Sequence, residues 1–144
     1  MKVYQFHIEN KTDEVKKAIL LGLTINLLKS NYGSDEGILV SATEDDTKYL
    51  DLLMQTGGEL FCAKRIMIFS DKYLPESIKI GNSGNNRNIE LNIDTGTFKV
   101  RLAPPINVDE NILIEIRVKP KSNLIVTLFC SKIDTLHLTP YLPN

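Results

Sequence analysis

Apolar and polar residues alternate with a period of two over much of the second half of the chain. The pattern is clearest in ENILIEIRVKPKSNLIVTLFCSK, residues 110–132. Ile112, Ile114, Ile116 and Val118 fall on one side of it, with Glu115, Arg117 and Lys119 on the other. After Pro120 the alternation resumes with Leu124, Val126, Leu128 and Cys130. Side chains on a β-strand point to opposite faces in turn, so this stretch predicts two amphipathic strands joined by a short polar turn, a hairpin. Ile114, Ile116, Val126 and Leu128 are the predicted core residues. Ile125 and Phe129 oppose the core face, so each is expected to meet a second layer or a subunit contact.

The same reading runs along the rest of the chain. Residues 2–8 form a first strand, with Val3, Gln5 and His7 opposite Tyr4, Phe6 and Ile8. Residues 14–23 are ambiguous. Thr12 can cap a helix there, with Asp13 and Glu14 in its first turn, yet the apolar run from Ala18 to Leu23 equally suits a buried strand. A loop with two glycines leads to a short apolar segment at Ile38 to Val40. In TEDDTKYLDLLMQTGG, Tyr49, Leu50, Leu53 and Met54 make a helical stripe that Gly57 ends, predicting one helix over 46–56.

Strands are predicted at 59–70 and 76–80, then a polar loop tip, GNSGNNRN, at 81–88. IELNID and TFKVRL flank a turn at Thr95 and Gly96. APPINVD has two prolines without amide hydrogens and reads as a connection or a sheet edge. The expected fold is therefore mainly all-β: a jelly-roll-like antiparallel β-sandwich with one short helix, occupying residues 1–133 as a single domain. Residues 134–144 are a C-terminal arm whose prolines bar it from a sheet interior.

Composition narrows the functions. The 144 residues are 42% hydrophobic and 24% charged, with net charge −1. That is ordinary for a soluble domain able to bury its own core. Lysines and arginines are scattered, without the basic stripe that holds a phosphate backbone, so no nucleic-acid partner is expected. No stretch has the apolar length of a membrane span, and the amino terminus lacks a signal-peptide core. Synthesis in a cytoplasm is expected. Cys62 and Cys130 both lie in strand patterns, where buried thiols are expected to serve as small hydrophobes, with a disulfide or metal pair as the alternative.

Reactive groups are sparse. His7 and His137 are the only histidines, too few and too isolated for a metal centre or a hydrolytic triad. Asp94-Thr95-Gly96 resembles the carboxylate loop of dimeric aspartic proteases. Too little chain follows it for the rest of that fold, and no later apolar-apolar-Gly element appears, so it reads as a hairpin turn. The acidic run TEDD at 43–46 complements a helix dipole without needing Ca²⁺. No enzyme, cofactor or metal is expected.

Several positions together resemble small virion proteins of phages infecting Bacteroidetes-type bacteria. They are Asn10 and Thr12, Leu20 to Gly22, Asn31 to Asp35, Tyr49 to Leu53, Ile66 to Ile68, and the closing LIVTLFCSK, which departs from the family pattern at Cys130. The resemblance implies a jelly-roll-like, capsid-associated structural protein and a strand over 14–23. It implies localisation in the virion, and as partners other copies of the chain (a homo-oligomer) and other virion proteins. The alternative is a host-glycan-binding or adhesion module of the same fold, against which the absence of Trp and the presence of only five Tyr tell. Leu136, Leu138, Tyr141 and Leu142 in the arm are the expected interface residues, because apolar side chains at a chain end gain nothing in water.

Overall fold

The computed structural model describes residues 2–21, 34–42, 61–82, 85–108 and 111–132. They form nine strands: β1 (Lys2–Asn10), β2 (Lys16–Leu21), β3 (Ile38–Ala42), β4 (Phe61–Ser70), β5 (Ser77–Asn82), β6 (Asn85–Ile89), β7 (Gly96–Val108), β8 (Ile112–Val118) and β9 (Ser122–Lys132). A five-stranded sheet runs in the order β3-β1-β9-β4-β7, and a four-stranded sheet in the order β2-β8-β5-β6. Every pairing is antiparallel.

Setting β3 aside, the pairs are nested: β1 with β9, β2 with β8, β4 with β7, and β5 with β6. This is one long antiparallel ribbon, doubled back at the β5–β6 turn and rolled until β9 meets β4 and β8 meets β5. That winding is a jelly roll. β3 is an addition that covers the free edge of β1. Among the described residues no helix is long and apolar enough to cross a membrane. The predicted helix at 46–56 and the arm at 134–144 lie outside the described residues.

The core lies between the sheets. Tyr4, Phe6, Ile8, Ile66, Ile68, Leu124, Val126 and Leu128 face Ala18, Leu20, Ile78, Ile80 and the inward side of β8, and all are buried. All four predicted core residues, Ile114, Ile116, Val126 and Leu128, are fully buried. The hairpin predicted for 110–132 does not form. β8 pairs with β2 and β5, while β9 pairs with β1 and β4. The turn between them, with Lys121 at φ 52°, carries the chain from one sheet to the other. The apolar faces of the two strands then meet across the core instead of lying side by side. Alternation is the same in either arrangement.

Within the ambiguous segment 14–23, Lys16–Leu21 is strand, and residues 22–23 lie outside the described residues. Among the described residues β2 is an edge strand, and side chains rather than another strand satisfy two of its outer amides. The Asp35 carboxylate accepts from the Lys17 amide (2.8 Å) and the Ser34 hydroxyl from the Ile19 amide (2.8 Å). Blunting an edge in this way blocks pairing with a foreign strand.

The region 81–108 needed more correction. The glycine- and asparagine-rich stretch read as a loop is mostly ladder, with Gly81 opposite Asn86 and Asn82 opposite Asn85. Polar residues suit β6 because it is an edge strand with one side unpaired. Gly81 is required there: a Cβ would lie 2.1 Å from the Asn85 carbonyl oxygen. The strand predicted at 89–93 ends at Ile89, and Ile93 is exposed. Asp94 to Gly96 is a turn, with Gly96 at φ 86°, but it links the two sheets and closes no hairpin. The predicted strand at 97–102 continues through both prolines to Val108 at the sheet edge. Its ladder to β4 steps from Arg65↔Arg101 to Ala63↔Ile106, so the prolines occupy a bulge where no amide is needed.

Candidate functional site

Four connections cross between the sheets at one end of the roll: β1–β2, β4–β5, β6–β7 and β8–β9. Backbone bonds tie them together, Lys121 N to Thr12 O (3.0 Å), Leu74 N to Asp94 O (2.7 Å) and Glu76 N to Arg117 O (2.8 Å). Asn10 is their hub. Its buried side-chain amide donates to the carbonyls of Glu14 (2.8 Å), Val118 (3.0 Å) and Lys119 (3.2 Å). Its Oδ1 accepts from the Thr12 amide (2.9 Å) and hydroxyl (2.7 Å). The Asn-x-Thr spacing works as an Asx turn that starts the connection, and Thr12 caps no helix.

On this frame sits Tyr73. Ser70 pins its backbone by donating to the Tyr73 carbonyl, and the next residue, Leu74, plugs the core. The ring stays outside, 39% exposed. Lys72 Nζ lies 5.1 Å and Lys119 Nζ 5.8 Å from its centroid. Asp13, Pro120 and Lys121 complete a shallow groove of about 430 Å³. Lys121 Nζ donates to the Lys11 carbonyl (2.7 Å) and stands 3.9 Å from the Asp13 carboxylate. Exposed cation–π contacts contribute only about 0.5–1 kcal/mol, so the two ammonium groups over the ring are loosely committed. An exposed aromatic in a ring of lysines was not foreseen from the sequence. Its signal, Lys72-Tyr73 beside a proline, is too common to stand out.

The second surface is the outer face of the five-stranded sheet. Leu39 (47% exposed), Phe69 (45%) and Ile125 (37%) lie on it, with Phe69 directly opposite Ile125 in the β4–β9 ladder. Val3, Met67 and Phe129 extend the apolar surface as half-buried neighbours. The Arg65 guanidinium lies 5.1 Å from the Phe129 ring centroid. His7 and Asp71 join Phe69, Asn123 and Ile125 around a depression of about 260 Å³. No described residue forms a second layer against Ile125, the first of the two alternatives raised for it. The predicted interface residues Leu136, Leu138, Tyr141 and Leu142 lie outside the described residues, as do His137 and the acidic run at 43–46.

Both cysteines are free, Cys62 half-buried and Cys130 fully buried. Burial, with the neighbouring Cys62 adding to it, pushes the Cys130 thiol up to about 12. A thiol reagent at pH 8 should therefore modify Cys62 in the native protein and reach Cys130 only on unfolding, which peptide mapping by mass spectrometry will read out. The sign for stability follows. A thiol that keeps its proton in the fold stabilises below its ordinary value of 9.0, and that contribution fades as pH rises from there towards about 12.

His7 is exposed on its strand, and among the described residues no three His, Cys, Asp or Glu side chains gather to hold a metal ion. In comparisons with known proteins, no family model, no curated protein and no solved structure matches this chain.

Proposed function

We propose that the chain is a non-enzymatic structural component of a bacteriophage virion. It would be capsid-associated, as an auxiliary, vertex, head-fibre base or minor capsid protein, and would act through contacts with copies of itself and with other virion proteins. The observation that carries this reading is the apolar surface of Leu39, Phe69 and Ile125 on the outer face of the five-stranded sheet. The adjacent pair Phe69 and Ile125, with Leu39 further along the same face, is the kind of exposed apolar surface that a subunit contact buries. A jelly roll suits the role because its nested ladders make a stiff block with two broad faces. The proposed occupant of the face is a second copy of the chain, and the resemblance at Asn10, Thr12 and the closing strand supports the virion setting.

Light scattering on the purified protein tests the reading, together with mass spectrometry of purified particles. Wild type is expected to form a defined oligomer and to be present in particles. Phe69→Glu combined with Ile125→Glu should shift the oligomer to monomer while leaving the melting temperature within a few degrees. A wild-type monomer absent from particles refutes the proposal.

A further inference from the structure

We propose that the Tyr73 groove binds a carboxylated pyranose, an acidic sugar unit of a surface polysaccharide. Three features of the groove match three features of such a ligand. Tyr73 is 39% exposed, and a solvent-accessible aromatic ring is a flat apolar platform of the kind on which the C–H face of a pyranose stacks. Lys72 and Lys119 come from different connections and bring their ammonium groups to that one ring. Neither has a carboxylate partner among the described residues, whereas the neighbouring lysines Lys16, Lys17 and Lys121 each do. A sugar carboxylate arriving over the ring would give both ammonium groups the counter-charge they lack. Asp13, with its side chain 89% exposed, is placed at the rim to accept from a sugar hydroxyl. The groove volume, about 430 Å³, falls within the ~300–1,000 Å³ of small-ligand clefts.

A neutral sugar would leave the ammonium groups without a counter-charge, and a bare anion would leave the ring unused. A nucleic-acid backbone is disfavoured because the lysines form a local cluster on a chain of net charge −1 and do not continue as a stripe. The site lies among the inter-sheet connections, away from the outer sheet face. Its failure would leave the oligomer experiment untouched, and the reverse also holds.

Titration calorimetry and NMR shift mapping with tri-galacturonate test the proposal. Maltotriose serves as the neutral control, and dextran sulfate and polyphosphate as charge controls. Wild type is expected to bind tri-galacturonate and not maltotriose, with shifts centred on residues 72–74 and 119–121. Tyr73→Ala and Lys119→Gln should each weaken binding about tenfold, with Tyr73→Phe within about threefold of wild type. Lys64→Gln, an exposed lysine on β4, should change nothing. Unchanged melting temperatures separate loss of the site from loss of the fold. No response to tri-galacturonate overturns the proposal. So does affinity for dextran sulfate or polyphosphate equal to that for the sugar, or binding that survives Tyr73→Ala.

Discussion

Replacing Ile116 with alanine is expected to lower stability by about 2–5 kcal/mol, the range for large-to-small changes in a packed core. Ile116 is fully buried in β8, between Ala18 of β2 and Ile78 of β5. Both neighbours are held by ladder bonds, and across the core stand β-branched and aromatic side chains with few alternative rotamers. The surroundings therefore have little freedom to collapse into the space left behind. Ile125→Ala removes the same atoms from the partly exposed outer face, and its loss should stay below about 1 kcal/mol. Urea unfolding of both variants makes the comparison, and equal losses would show that the two faces are energetically alike.

Asn10→Ala is expected to lower stability by about 2–4 kcal/mol, although it removes hardly any apolar surface. The Asn10 side chain makes five contacts, three donated and two accepted, that join the β1–β2 connection to the end of β8. Alanine removes the buried amide that meets the Val118, Lys119 and Glu14 carbonyls, and hydrogen bonds lost at a buried junction carry a desolvation cost. Asn10→Asp should be no better at neutral pH, because a carboxylate would face three carbonyl oxygens. Thermal melting measures the loss. Hydrogen exchange should show the Thr12 and Lys121 amides opening first, since both belong to the connections that Asn10 joins. The same variant should weaken sugar binding, because Lys119 and Lys121 of the groove ride on the β8–β9 turn. A variant as stable as wild type would mean that the hub carries little of the end's stability.

The two substitutions differ in how visible they are in the sequence. Ile116 stands in a run of alternating residues, and its burial follows from that run alone. Asn10 follows a strand and precedes a threonine, a common arrangement for any turn. Its weight comes from Val118 and Lys119, more than a hundred residues further along the chain. Tyr73 is similar. Whether its ring is buried or exposed depended on Leu74, not Tyr73, being the residue that enters the core. Asparagine-rich 85–88 looked like a loop because polar composition is a poor guide at an edge strand, where one side has no partner among the described residues.

Period-two alternation determined, without any structure, which side of β1, β8 and β9 faces inward, because strand geometry sends successive side chains to opposite faces. It also determined that the chain is built of sheets packed on one another, since so many one-sided strands need a shared core. Only the tertiary structure decided which strand lies beside which. Ladder bonds join backbone groups that are the same in every residue, so a strand carries no mark of its partner. β8 and β9 could have formed a hairpin with the same alternation. In the fold they lie in opposite sheets, where their apolar faces meet across the core and are buried together.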